Sequence, residues 1–235
     1  MNKIRRAIVN TVLKRILNVL CKIDSKEFKD VLTRMRVASQ PLILAVNHIN
    51  FLEVPILVAY SYPLLLTGLV KAETWKNPIM AFIFDTYEAI PIDRRGSIAQ
   101  AFKGARDALS RGFFVCIAPE GTRSKTGVLG KGKAGVVQLS LDTGVAVLPV
   151  VHYGGENIWS NIKRFRRTPF RFKVGRPFRF KTDGRVDKAM REALLDELMG
   201  QMARLLPEDL RGGYAEQAQK QAQYLEFIDF PPDSD

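Results

Sequence analysis

The residues best suited to chemistry lie in one polar segment that follows an apolar run, Asn47-His48-Ile49-Asn50-Phe51-Leu52-Glu53. An imidazole beside a carboxylate makes a general base and the group that orients it. Residues five apart on a continuous helix lie about 140° from each other. His48 and Glu53 can therefore meet only if His48 lies in a loop and Glu53 in the first helical turn. Asn50 and Glu53 have the spacing of a capping box, which predicts that break but also fits a glutamate that only caps the helix.

A second polar segment, Pro119-Glu120-Gly121-Thr122-Arg123-Ser124, follows another apolar run. Backbone amides around Gly121 and Thr122, with the Arg123 guanidinium, predict a site for a phosphate or carboxylate group. The alternative interpretation of this segment is a polar loop with a helix cap.

Two more basic residues accompany these segments. Arg94 follows a short β-like run, Ile90-Pro91-Ile92-Asp93, and Lys133 opens a helix before the next apolar run. Arg94 and Arg95 also fit a solvated pair on a turn. The second histidine, His152, lies outside all of these segments, and we expect it to be dispensable.

The elements that must position these residues alternate between strand and helix. Apolar runs predict strands over 42–46, 64–70, 113–118 and 145–151, and a later hairpin or edge pair over 170–174 and 178–180. Helical patterns lie between them and over 186–206. This order predicts an α/β fold with a mostly parallel central sheet flanked by helices. Ligands of such sheets bind past the carboxyl ends of the strands, where the polar segments lie.

Composition narrows the possible partners. The 235 residues are 46% hydrophobic, which excludes a disordered chain, and 36 Lys plus Arg against 24 Asp plus Glu give a net charge of +12. Such a balance favours nucleic acid, phosphorylated small molecules or an anionic membrane surface. No nucleic-acid-binding motif is present, so no nucleic acid partner is expected. Two cysteines and two histidines without metal-site spacing predict no metal site and a reducing compartment.

The two ends of the chain differ in charge. The first 23 residues have the pattern of an amphipathic helix, with Ile8, Val12 and Ile16 on an apolar face. This helix either packs on the core or lies in the interface of an anionic membrane. No segment is typical of a transmembrane span or a secretory signal. Residues 211–235, rich in glutamine and acid, predict a helix followed by a loose tail.

The ordered set of motifs resembles the glycerolipid acyltransferases, of the lysophosphatidic acid acyltransferase type. The resemblance covers roughly residues 40–180, and the hexapeptide Pro119–Ser124 is its most specific part. The residues that carry it are Asn47 and His48, Ile90 to Arg94, Pro119 to Ser124, Lys133 and Gly135, and Val147 to Val150.

The resemblance implies direct acyl transfer from acyl-CoA or acyl-carrier protein to the hydroxyl of a lysophospholipid. The first acceptor implied is 1-acyl-glycerol-3-phosphate, which would give phosphatidic acid. His48 is then the general base, and Glu53 orients it. The residues implied in substrate binding are Arg94, Glu120, Gly121, Thr122, Arg123 and Lys133. For Glu120 the resemblance implies either a bond to acceptor hydroxyls or a brace for the loop. No cofactor or metal is implied beyond the thioester co-substrate.

The same resemblance implies work at a membrane surface, by a peripheral or monotopic enzyme on the cytoplasmic face. It suggests three parts: an N-terminal helical membrane-docking segment (1–39), an acyltransferase α/β domain (40–210) and an acidic C-terminal tail (211–235). Anionic lipids would be partners of the first part.

Two positions depart from the family pattern. The acidic partner of the histidine is an aspartate in the family and Glu53 here, and a family glycine aligns with Glu88. These departures leave open another acceptor, such as a lyso-ornithine lipid or another lysolipid, and an inactive lipid-binding homologue.

Overall fold

The predicted apolar runs form the centre of one sheet. The computed structural model describes residues 3–37, 40–93, 98–182 and 184–229. The strands in these ranges are β1 (Cys21–Asp24), β2 (Ile43–Val46), β3 (Leu66–Lys71), β4 (Ile90–Ile92), β5 (Phe114–Ile117), β6 (Val147–Tyr153), β7 (Thr168–Val174), β8 (Phe178–Phe180) and β9 (Leu225–Phe227). Their order is β1-β7-β6-β2-β5-β3-β4, with β8 beside β6 and β9 beside β8.

Strand β2 lies at the centre of the sheet, between two parallel neighbours, β5 and β6. All four of its residues are buried, as expected for a strand covered on both faces. The antiparallel pairs are β6 with β7, β6 with β8, and β8 with β9. The prediction of a mostly parallel sheet flanked by helices is confirmed.

Helices cover both faces of the sheet. They are α1 (Lys3–Leu20), α2 (Lys26–Val37), α3 (Glu53–Ser61), α4 (Pro78–Thr86), α5 (Ile98–Ser110), α6 (Gly135–Thr143), α7 (Ile158–Lys163) and α8 (Lys188–Leu205). Successive β2 side chains point to opposite faces. Leu44 and Val46 therefore join the core under α1, α2 and α3, whereas Ile43 and Ala45 join the core under α5, α6 and α8.

The N-terminal helix α1 is present as predicted, and Ile8, Val12 and Ile16 of its apolar face do not pack on the core. Its buried residues are Arg6, Asn10, Leu13 and Leu17. The cause is a set of contacts with the end of α4: Arg6 Nε donates to the Thr86 carbonyl oxygen at 3.3 Å, and Tyr87 Oη lies 3.3 Å from Asn10 Oδ1.

This orientation leaves a row of aliphatic side chains exposed, here called the α1 stripe. Its members are 51–73% exposed and are Ile4, Ile8, Val12, Ile16 and Val19. No helix among the described residues is long and apolar enough to cross a membrane.

A strand near each end of the described chain joins the sheet. β1 pairs with β7, and β9 pairs with β8. Residues 211–235 were predicted as a helix and a loose tail, but the described part of this segment, 211–229, forms short 3-10 turns and β9. Tyr214 accepts a hydrogen bond from the Gly132 N–H, and Glu197 accepts one from the Tyr224 N–H, so this acidic segment is fastened to the core. The division of the chain at residues 39 and 210 stays a prediction.

Candidate active site

The two predicted polar segments meet at the carboxyl edge of the sheet. His48 lies in the loop between β2 and α3, and Pro119–Ser124 follow the neighbouring parallel strand β5. The Ser124 N–H donates to the His48 carbonyl oxygen at 2.7 Å, which ties one loop to the other.

His48 and Glu53 form the predicted pair. Glu53 is the first residue of α3, and its Oε1 is hydrogen-bonded to Nδ1 of the His48 ring. Its Oε2 accepts from the Ile49 N–H at 2.9 Å and from the Asn50 N–H at 3.4 Å. The carboxylate therefore does both things that the sequence left open: it holds the imidazole, and it satisfies backbone donors at the helix entrance.

The helix cap itself differs from the prediction. The N-cap residue is Leu52, and the side chain of Asn50 forms a turn by accepting from the Leu52 N–H at 2.8 Å. The Asn50 amide also donates to the Gly155 carbonyl oxygen at 3.1 Å. Asn50 thus anchors the His48 loop instead of capping α3.

The electrostatics of this pair favour an ionised carboxylate. Burial of Glu53, which is 3% exposed, would by itself raise the pKa of its carboxyl group. Hydrogen bonds from His152 and His48 outweigh burial and lower the pKa to about 2. The negative charge can therefore stabilise an imidazolium on His48, and since Glu53 holds Nδ1, Nε2 is the nitrogen that would take a proton.

His152 was expected to be dispensable, but it lies against the site. Its Nε2 is 3.0 Å from Glu53 Oε2, on the side of the carboxylate away from His48. Asn47 joins its backbone twice, because Asn47 Oδ1 accepts from the His152 N–H at 2.8 Å and Asn47 Nδ2 donates to the His152 carbonyl oxygen at 2.9 Å. The signal in the sequence was the position of His152 at the end of a strand that could pair with β2.

Glu120 holds the His48 loop through its carboxylate. Its Oε1 accepts from the His48 N–H at 2.7 Å and its Oε2 from the Gly130 N–H at 2.8 Å. The side chain is buried, and burial raises the pKa of its carboxyl group. Of the two roles implied for Glu120, these contacts show that it braces the backbone of His48, and its binding to substrate stays a prediction.

The predicted anion site lies beside this brace. Gly121 has a φ of +62°, a backbone conformation that favours glycine. A Cβ at this position would lie 3.1 Å from Lys133 Nζ, so the absence of a side chain also leaves room for the lysine. Thr122, Arg123 and Lys133 are exposed. Arg94 lies outside the described residues.

Lys133 also lines a basic cavity of about 480 Å³. Three more cations, Lys131, Lys188 and Arg191, share that cavity with Glu192 and Asp196, which leaves an excess of positive charge. A polyanionic ligand fits such a lining better than a cation does. Among the described residues, no group of three or more His, Cys, Asp or Glu side chains is placed to hold a metal ion.

Glu88, which aligns with a family glycine, keeps a glycine-like backbone with a φ of +54°. Its carbonyl oxygen accepts from Thr67 Oγ1 at 2.7 Å, and its carboxylate is 2.8 Å from Arg111 Nη1. These contacts hold the turn that leads into β4 in the shape that a glycine would take.

The sequence of this chain is similar to those of known acyltransferases. Part of it is 28% identical to the 1-acyl-sn-glycerol-3-phosphate acyltransferase of Pseudomonas aeruginosa, over 51% of this chain and 47% of that protein. It is 29% identical to the N-acylphosphatidylethanolamine synthase of Arabidopsis thaliana, over 77% of this chain and 72% of that protein. The chain spans half or less of the length of the first curated relatives that it matches.

The fold itself has a counterpart among solved structures. The 1-acyl-sn-glycerophosphate acyltransferase PlsC of Thermotoga maritima superposes with a TM-score of 0.60 and 19% identity, over 93% of this chain and 81% of that one. Residues 26–153 match the Acyltransferase family. This match covers more than half of the chain and includes His48, Glu53 and the Pro119–Ser124 loop, so the protein belongs to the Acyltransferase family.

Proposed function

We propose that this protein is an O-acyltransferase that moves a fatty acyl group from a thioester to the hydroxyl of a lysophospholipid. The donor is acyl-CoA or acyl-carrier protein, and the first acceptor is 1-acyl-glycerol-3-phosphate, which becomes phosphatidic acid. The observation that carries this proposal is the His48–Glu53 pair beside a loop that bears Arg123 and Lys133. The names of several relatives support the acceptor.

The geometry suits base-catalysed attack without a cofactor. His48 Nε2 removes the proton of the acceptor hydroxyl as its oxygen attacks the thioester carbonyl, and Glu53 stabilises the imidazolium that forms. The tetrahedral intermediate then expels the thiolate. The thiolate receives from His48 the proton that came from the acceptor hydroxyl. Arg123, Lys133 and the amides around Gly121 would hold the phosphate of the acceptor.

The α1 stripe supports peripheral docking on a membrane, which we place on the cytoplasmic face. The apolar surface continues onto α4, where Ile79 and Phe82 are 67% and 51% exposed. Arg5 joins the two helices, with its guanidinium 4.6 Å from the Phe82 ring centre. Aliphatic side chains edged by cations suit an interface of anionic lipids.

An acceptor panel tests the proposal. Purified protein on vesicles receives labelled palmitoyl-CoA with lysophosphatidic acid, lysophosphatidylethanolamine, a lyso-ornithine lipid or phosphatidylethanolamine. We expect the highest kcat/KM with lysophosphatidic acid and a product that mild alkali cleaves, as it does esters. The His48→Ala protein serves as the control.

The similarity to an N-acylphosphatidylethanolamine synthase gives the panel a second function to detect. Transfer to the amine of phosphatidylethanolamine would leave an alkali-stable amide. That product would replace the proposed acceptor, and a folded protein that acylates nothing in the panel would contradict the proposal altogether.

A further inference from the structure

His152 contributes a ring to the wall behind the candidate active site. It lies on β6 and is completely buried, with ring centres 6.0 Å from Phe170 and 5.7 Å from Phe172. A polar ring in such surroundings is stabilised only where its nitrogens find partners.

Within the described part of the chain, Nε2 of that ring forms hydrogen bonds and Nδ1 forms none. Nε2 lies 3.0 Å from Glu53 Oε2 and 3.0 Å from the Asn47 carbonyl oxygen, while Nδ1 is buried and has no partner there. Both neighbours of Nε2 are acceptors, so Nε2 carries the hydrogen and donates it to them. The ring N–H of His152 therefore points at the Glu53 carboxylate and at the loop that holds His48.

The ring has a fixed place relative to that loop. Asn47, the residue before His48, pairs with both backbone groups of His152. The parallel register of β2 and β6, with Val46 opposite Val150, holds the two strands on either side of this contact. A donor held so rigidly can set the position of the carboxylate that it touches.

We propose that His152 is a positioning residue for acyl transfer, which rests on the proposed function. Its Nε2–H holds Oε2 of Glu53, so that Oε1 is aimed at Nδ1 of His48. The carboxylate thus bridges two imidazoles, one exposed to substrate and one buried. The additional methylene of a glutamate, compared with the family's aspartate, extends the carboxylate into the space between the rings, so Glu53 and His152 act as a matched pair.

Substitution of His152 tests this role. His152→Phe keeps a ring beside Phe170 and Phe172 but removes the N–H, and we expect kcat to fall by about 10- to 100-fold while both KM values stay within about twofold. His152→Gln retains an N–H donor and should recover most of kcat. Phe172→Leu disturbs the same core without touching Glu53 and is the matched control, with kcat close to that of the unmodified protein.

A double variant separates positioning from general core damage. Because His152 acts through Glu53, adding His152→Phe to Glu53→Gln should cost little beyond Glu53→Gln alone. Full additivity of the two losses, or an unchanged kcat in His152→Phe, would overturn the proposal. Should the phenylalanine variant not fold, His152→Leu removes the same N–H and is judged by the same criteria.

A measurement without turnover keeps this proposal distinct from the proposed function. In proton NMR the His48 Nδ1–H bonded to Glu53 should give a low-field signal, assigned by its loss in His48→Ala. We expect that signal to shift upfield or disappear in His152→Phe and to persist in His152→Gln. A signal that is the same in the unmodified protein, in His152→Phe and in His152→Gln would contradict the role of His152. This result does not depend on the identity of the acyl acceptor.

Discussion

Glu53 accepts hydrogen bonds from two imidazole rings and two backbone N–H groups. Only an ionised carboxylate has enough acceptor sites for these four donors. The glutamate therefore acts on catalysis and on loop structure together, and substitutions at this position must be interpreted on both counts.

The first prediction at the residue scale concerns the base. His48→Ala should abolish acyl transfer, because an acceptor hydroxyl is too weak an acid to attack a thioester without a base. The ring is only partly buried, at 26% side-chain exposure, so circular dichroism and the melting temperature should change little. Near-normal turnover in this protein would remove the proposed mechanism.

The second prediction concerns the partner of the base. Glu53→Gln keeps the shape and should lower kcat by orders of magnitude, because an amide cannot stabilise the imidazolium. Glu53→Asp, which restores the family's residue, should keep part of the activity, limited by its loss of reach toward His152. Steady-state kinetics of the two variants decide the point. A fully active Gln variant would show that Glu53 serves only the backbone of the loop.

At the scale of elements, helix α1 carries the surface that is proposed to dock on the membrane. Removing residues 1–24 would also remove β1 and the buried Leu13 and Leu17, so point changes make a cleaner test. Ile8→Asp with Ile16→Asp should weaken binding to anionic vesicles by tenfold or more in sedimentation, because charge replaces apolar contact in the interface.

The same helix offers a matched control for that experiment. Thr11→Asp with Asn18→Asp adds the same two charges at exposed positions outside the α1 stripe. These changes should reduce binding only by the electrostatic part, which added salt screens. Equal losses in the two double variants would mean that the stripe itself does not contact lipid.

The turn before β4 gives another prediction at this scale. Glu88 has a left-handed backbone, which costs a residue other than glycine about 1–2 kcal/mol. Glu88→Gly should therefore unfold at the same temperature as the unmodified protein or a higher one, despite losing the contact with Arg111. Glu88→Val should unfold at a lower temperature, because a β-branched side chain tolerates this φ poorly. The reverse order in thermal melts would contradict the observed backbone.

At the scale of the whole molecule, Glu53 links the site to acid stability. Its folded-state pKa is about 2, whereas an unfolded glutamate has a pKa of about 4.3. The ionised group therefore stabilises the fold above the unfolded pKa, by an amount of order 3 kcal/mol, and this contribution is lost as the pH falls from about 4.5 to about 2.

Urea unfolding between pH 5 and pH 2 measures this contribution. The free energy of unfolding should fall more steeply in the unmodified protein than in Glu53→Gln. Glu192→Gln, at an exposed position, should follow the unmodified protein. Parallel curves for all three proteins would mean that Glu53 is not held ionised by its partners.

The sequence was sufficient to predict that His48 and the Pro119–Ser124 loop lie at the same edge of the sheet, because each follows an apolar run that forms a parallel strand. Which strands are neighbours depends on strand order, which the apolar runs do not reveal. The direct contact of the two loops was therefore not predicted, and the contact of His152 with Glu53 was missed.

Local patterns could not decide which way the aliphatic face of α1 points, because polar side chains pack beneath the helix. Arg6 lies 5.5 Å from the Tyr87 ring centre and bonds the Thr86 carbonyl, and these contacts direct that face outward. Strands β1 and β9 have four and three residues, too few to show an alternating pattern. Their pairing depends on which strands lie at the edges of the folded sheet, and local sequence patterns do not show this.

The proposed docking of the α1 stripe on a bilayer decides which concentration of each substrate controls the rate. An enzyme held on a bilayer meets its lipid acceptor in two dimensions, so its rate should follow the mole fraction of acceptor in the surface. Adding inert phospholipid at constant total acceptor would then slow the reaction, although nothing in the bulk solution competes. A thioester carried by acyl-carrier protein stays in solution, and the rate would still depend on its molar concentration.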